Sequence, residues 1–138
     1  MAIGVVQDPL KASVPVRVGF GALALVTVGF HLWLVFAGLI PNLVSRPIHL
    51  MLVLPWVFLA VREENAFLRW IGWLLCAGGL ASCLYIIVNL EPLDHQYGSL
   101  KGPLQYGLAI VLLATVLEMA RRAIKAALPI VALLALAY

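Results

Sequence analysis

The side chains with chemistry to offer fall into three groups: His31 with His49, Cys76 with Cys83, and Glu118 with Arg121 and Arg122. Two histidines can ligate a haem iron axially, and two cysteines can close a disulfide or contribute to a metal site. A carboxylate within a membrane can relay a proton or an ion. Spacing decides against most of this chemistry. Cys76 and Cys83 stand seven residues apart, so on one helix their Cα atoms are about 10 Å apart, beyond disulfide reach, and two thiols alone make a poor metal site. Glu118 precedes Arg121 and Arg122 by three and four residues, the spacing of helical ion pairs, and arginines there are long enough to snorkel to lipid headgroups. A histidine pair near the outer surface is a conceivable haem site, but only the first apolar run offers nearby glycines to accept a macrocycle. A buried histidine hydrogen-bonded across helices is the preferred reading. There is no nucleophile and base pair, no Gly-rich phosphate loop and no metal-spaced cluster. The expectation is therefore a protein that is not an enzyme, with no catalytic, cofactor-binding or metal residues.

The elements that carry these residues are almost entirely apolar. Residues 18–45 contain no Asp, Glu, Lys or Arg, and further charge-free runs cover 47–61, 70–90, 102–117 and 126–138. A hydrocarbon core of roughly 30 Å is crossed by about 20 helical residues. With 64% apolar residues, 11% charged residues and a mean hydropathy of +1.09, the chain is far from the composition of soluble domains. The runs are continuously apolar, whereas strands of a membrane barrel alternate apolar and polar residues. The sequence predicts an all-α integral membrane protein, a bundle of four transmembrane helices plus a short fifth apolar helix. Residues 1–138 form one membrane domain, with spans at about 18–40, 47–61, 70–90 and 103–119 and a partial apolar helix at 126–138.

Charge placement orients the bundle. Lys11, Arg17, Arg62, Arg69, Arg121, Arg122 and Lys125 fall on one side of four alternating spans, and only Arg46 and Lys101 on the other. The positive-inside rule places the N-terminus and the 62–69 link in the cytoplasm and the 91–103 link outside. The net charge of +3 is thus a matter of topology, and no basic cluster interleaved with aromatics points to nucleic acid. The segment before residue 18 lacks the layout of a cleaved secretory signal, so the first span serves as its own insertion signal.

The runs differ in quality. The second is too short to cross unless it extends through Arg46 or sits in a thinned bilayer, and Pro55 within it removes a backbone hydrogen bond and introduces a kink. Pro41 and Asn42 end the first helix. Residues 91–103, with two prolines and two glycines, read as the longest loop and the external surface best able to meet a partner. Gly72, Cys76, Gly79 and Cys83, spaced four, three and four apart, put a seam of small residues on one face of the third span. Such seams let helix backbones approach closely in lipid, and this packing role is preferred for the two cysteines. Leu80 is expected on another face.

Several segments in order resemble a known family. Residues 30–50 (FHLWLVFAGLIPNLVSRPIHL), 85–93 (YIIVNLEPL) and 117–138 (LEMARRAIKAALPIVALLALAY) are similar to the N-terminal membrane region of the permeases of TRAP transporters, the tripartite ATP-independent periplasmic family, in particular their TAXI branch. The matching patterns are Phe-His-Leu at 30–32, Arg-x-x-His-Leu at 46–50, Glu-x-x-Arg-Arg at 118–122 and Leu-Pro at 128–129. The resemblance covers most of the chain after about residue 20. Lys125 departs from it, standing where the family often has a small residue.

That resemblance implies a small, non-translocating scaffold subunit of an ion-gradient-driven secondary transporter importing organic acids or amino acids. Its implied partners are a large TRAP permease subunit, a periplasmic substrate-binding protein and the lipid bilayer of the bacterial inner membrane. In that family the small-subunit motifs carry no catalytic role, so no site residues transfer. Two rivals are the small membrane subunit of a tripartite tricarboxylate transporter and a haem-bearing membrane anchor. The last apolar segment, too short to cross and with Pro129 at an early helical position, reads as the opening of a longer helix: the leading part of a fused permease, or a tail that packs on the large subunit.

Overall fold

The computed structural model describes residues 5–6, 13–38, 40–62, 65–123 and 127–137. Lys11, Lys125, Ala126 and Tyr138, which entered the sequence reading, lie outside the described residues. In chain order the elements are β1 (Val5–Val6), α1 (Val14–Ala37), α2 (Asn42–Ala60), β2 (Val61–Arg62), α3 (Ala66–Val88), α4 (Leu90–Asp94), α5 (Gly102–Ala123) and α6 (Ala127–Ala137). Apart from one two-residue antiparallel ladder pairing Val5 with Arg62 and Val6 with Val61, the described chain is helix and turn. Four helices, α1, α2, α3 and α5, are long and apolar enough to cross a membrane.

Local chemistry explains several helix ends. Pro15 lies in the first turn of α1, where its missing N–H costs nothing. The helix stops at Gly38, whose left-handed φ of 52° suits glycine and lets its N–H bond Leu34 O at 3.1 Å. Pro41 opens α2 rather than closing α1, because its carbonyl accepts from the backbone N–H groups of Val44 and Ser45. Of the two accommodations its length allowed, α2 shows the extension through Arg46, and it continues through both Pro47 and Pro55. Asn65 caps α3, its Oδ1 accepting from Phe67 N at 2.9 Å. The outer link is not all loop. Leu90–Asp94 forms a short helix before a turn at 95–98, where Tyr97 and Gly98 both take positive φ.

The helices form an antiparallel arrangement with α3 in the middle, packed on α2 and α5, while α6 lies against α5. Leu54 and Phe58 from α2, Cys76 and Cys83 from α3, and Thr115 from α5 are buried between them. The small-residue seam faces the chain's own helices: Gly72, Cys76, Gly79 and Cys83 are all buried. A Cβ at Gly79 would stand 2.7 Å from Thr115 Cγ2, and one at Gly78 would stand 2.7 Å from Val111 Cγ1. Only glycine admits α5 this closely. Leu80, expected on another face, instead packs partly against the cluster of Leu54, Phe58 and Cys76. The face buried by α3 is broad because the helix sits between two neighbours.

In contrast, α1 buries no residue. It touches α2 through the rings of Phe20 and Trp56, 5.0 Å between centroids, and through His31 and His49. The antiparallel pairing of 20 with 56 and 31 with 49, together with the ladder between β1 and β2, puts the start of α1 beside the end of α2.

Candidate functional site

Two polar clusters join these helices. The first gathers at the end of the bundle where α5 finishes. Glu118 takes Arg121 through two hydrogen bonds, Nε to Oε2 at 2.7 Å and the terminal nitrogen to Oε1 at 2.8 Å, and takes Arg122 Nε at 2.9 Å on Oε1. Helical spacing delivers both arginines to one carboxylate, and the forked guanidinium of Arg121 matches its two oxygens.

The two arginines then part. The Arg121 side chain is 32% exposed and Arg122 only 2%. Snorkelling was expected of both, but Arg122 turns into the bundle. Its guanidinium carbon lies 4.7 Å from the centroid of the Phe58 ring on α2, and a terminal nitrogen donates to Leu68 O on α3 at 3.2 Å. Gly72 makes the space: a Cβ there would collide with the guanidinium, its Cζ only 2.9 Å away. Arg122 therefore ties α2, α3 and α5 together by a charge-assisted hydrogen bond, a carbonyl contact and a cation–π contact. Nothing in the sequence marked Phe58 as a partner. The available signal was Gly72, the member of the small-residue seam closest to the charged helix end.

The second cluster joins α1 to α2. His31 Nε2 and His49 Nδ1 are 2.7 Å apart, and His31 Nδ1 lies 2.7 Å from Thr27 O. A carbonyl only accepts, so His31 Nδ1 carries a proton and donates to Thr27. In the neutral ring His31 Nε2 is then an acceptor, and His49 Nδ1 donates to it. The cross-helix hydrogen bond expected of a histidine is present, but His31 is only half-buried and His49 is exposed. Axial haem ligation would place the iron and the macrocycle between two ligand nitrogens. Here the two nitrogens are hydrogen-bonded directly to each other.

Two buried polar side chains of the long helices, Thr115 and Ser82, also bond within the fold. Thr115 Oγ1 donates to Val111 O at 2.7 Å and reaches Leu75 O across the helix interface at 2.9 Å. Ser82 Oγ donates to Gly78 O at 2.8 Å with Leu108 O at 3.3 Å. Both cysteines are buried with free thiols, as the packing reading expects. Among the described residues no group of three or more His, Cys, Asp or Glu side chains is placed to hold a metal ion. Bonds from Arg122, His31, Thr115 and Ser82 link neighbouring helices.

No family model, curated protein or solved structure matches this chain.

Proposed function

We propose that this chain is the small, non-translocating scaffold subunit of an ion-gradient-driven secondary transporter of the TRAP type, TAXI branch, embedded in a bacterial inner membrane. Its working partners are a large permease subunit, which carries solute and coupling ion, and a periplasmic binding protein that delivers an organic acid or amino acid. The sequence resemblance motivates the family. Glu118, Arg122 and His31 lie in the segments that carry it, and each is engaged with another helix or with its own helix.

The observation that carries the scaffold reading is where the polar groups of the long helices point. Those inside the bundle and between α1 and α2 bond one another or helix backbone, with Arg17 at the start of α1 left exposed, while α1 presents Leu25, Leu32, Trp33, Val35 and Phe36 outward. Polar side chains that line a transport path must remain free to meet solute or ion. In this chain those groups brace the bundle, and the apolar sides are left for lipid and a partner permease.

The proposed topology has the N-terminus and the 62–69 link in the cytoplasm, where seven of the nine cations fall. The ladder between β1 and β2 is compatible with that assignment, since it joins the N-terminal segment to the link after α2.

Reconstitution tests the function. The chain alone in proteoliposomes should show no uptake of organic acids or amino acids, and it should co-purify with the large permease encoded beside it. Saturable, sodium-dependent uptake by the chain alone refutes the scaffold reading. A neighbouring permease of the tripartite tricarboxylate type, co-purifying in its place, refutes the family assignment.

A further inference from the structure

The start of α1 stands away from α2 and leaves a groove of about 570 Å³ between them, within the roughly 300–1,000 Å³ of small-molecule sites. Val18, Phe20, Gly21, Ala24 and Trp56 give it an apolar lining, and Arg17 lies along the same groove. Arg17 has no ion pair or side-chain hydrogen bond among the described residues, and it is exposed. This sets it apart from Arg121 and Arg122, which are both held by Glu118.

Depth gives the combination its meaning. The 24 residues of α1 span about 36 Å, slightly more than the roughly 30 Å hydrocarbon core, so Arg17 in the first turn falls at headgroup level. From that level the groove runs inward past Phe20 to Ala24, alongside the acyl chains. A guanidinium binds a phosphate through paired N–H donors, and an apolar slot directly beneath it suits the chain attached to that phosphate.

We propose that this groove binds an anionic phospholipid, with its phosphate on Arg17 and one acyl chain between α1 and α2 against Phe20 and Trp56. Charge complementarity selects the anionic lipid. A zwitterionic lipid fits the slot but gains less from the cation, and a partner helix fits the slot without needing Arg17. The proposal rests on α1 spanning a membrane and not on the transporter assignment.

Gly21 supplies the decisive variant, because a Cβ there meets no atom within 4 Å. Gly21 lines the groove and α1 buries no residue, so a leucine side chain there should take up groove space without entering the buried core. Gly29, equally unobstructed and outside the groove, is the matched control.

Native mass spectrometry of the purified chain reads lipid retention, with phosphatidylglycerol and phosphatidylcholine of identical acyl chains supplied at equal concentration. The wild type should retain phosphatidylglycerol about fivefold over phosphatidylcholine, the contribution of one basic residue at an anionic surface. Arg17→Gln should bring the two lipids to parity, and Arg17→Lys should keep most of the preference. Gly21→Leu should reduce retention of both lipids, with Gly29→Leu unchanged. Equal retention by the wild type, or an undiminished preference in Arg17→Gln, overturns the assignment of the phosphate to Arg17. Wild-type retention in Gly21→Leu overturns the groove as a lipid site. Since no permease is present, none of these outcomes bears on transport.

Discussion

Adding one methyl group at Gly79 tests the central packing of the bundle. A Cβ at this position stands 2.7 Å from Thr115 Cγ2 and 3.1 Å from Leu54 Cδ1, and both neighbours are fully buried. Overpacking of this kind costs about 1–3 kcal/mol. Alanine also raises helix propensity over glycine by roughly 1 kcal/mol, which partly masks that cost. Gly29→Ala removes the ambiguity, because Gly29 lies in α1 with nothing within 4 Å of its Cβ position. Both variants carry the same propensity gain, so their difference isolates the steric cost at about 1–3 kcal/mol. Thr115→Ser deletes Cγ2 but keeps the hydroxyl that bonds Val111 O and Leu75 O. In that background the Gly79→Ala penalty should shrink by most of the steric cost. Equilibrium unfolding in mixed micelles, read by steric trapping, measures all four variants. If Gly79→Ala and Gly29→Ala shift stability equally, or if Thr115→Ser leaves the Gly79→Ala penalty intact, α3 and α5 do not meet as described.

Three further outcomes are expected. Glu118→Gln should destabilise the bundle by about 3 kcal/mol, because it leaves the Arg122 guanidinium buried without its carboxylate, whereas Arg121→Gln should cost less because Arg121 is partly exposed; the same unfolding assay ranks them. His31→Ala and His49→Ala should be non-additive by about 0.6 kcal/mol in a double-mutant cycle, the size typical of hydrogen bonds between membrane helices, and additive losses would remove the bond between α1 and α2. With Cys76 and Cys83 replaced, an impermeant thiol reagent on intact cells should label a cysteine at Ser99 and not one at Ser13, and the opposite pattern inverts the topology.

The number of long helices and their apolar character were legible in the sequence because both depend on local composition. Largely uncharged apolar stretches show wherever they occur, and α1, α2, α3 and α5 are each built around one. Their ends were less legible. Helix α2 begins at Asn42, before Arg46, and α5 runs on through Arg121 and Arg122; a charged residue marks a change of solvent but does not end the backbone hydrogen bonding. The outer link hid α4 for a related reason, since a five-residue helix is too short to show a period.

Spacing also identified groups within one helix. The pairing of Glu118 with both arginines follows from i+3 and i+4 geometry, and the alignment of Gly72, Cys76, Gly79 and Cys83 follows from the same periodicity. What spacing cannot encode is which neighbour a face meets. Only the tertiary structure sends Arg122 inward over Phe58 and Leu68 O, sets Gly79 against Thr115, and brings His31 to His49. The physical reason is that a helix fixes the relative directions of its own side chains, while contacts between helices depend on rotations and separations that the whole bundle settles together through packing.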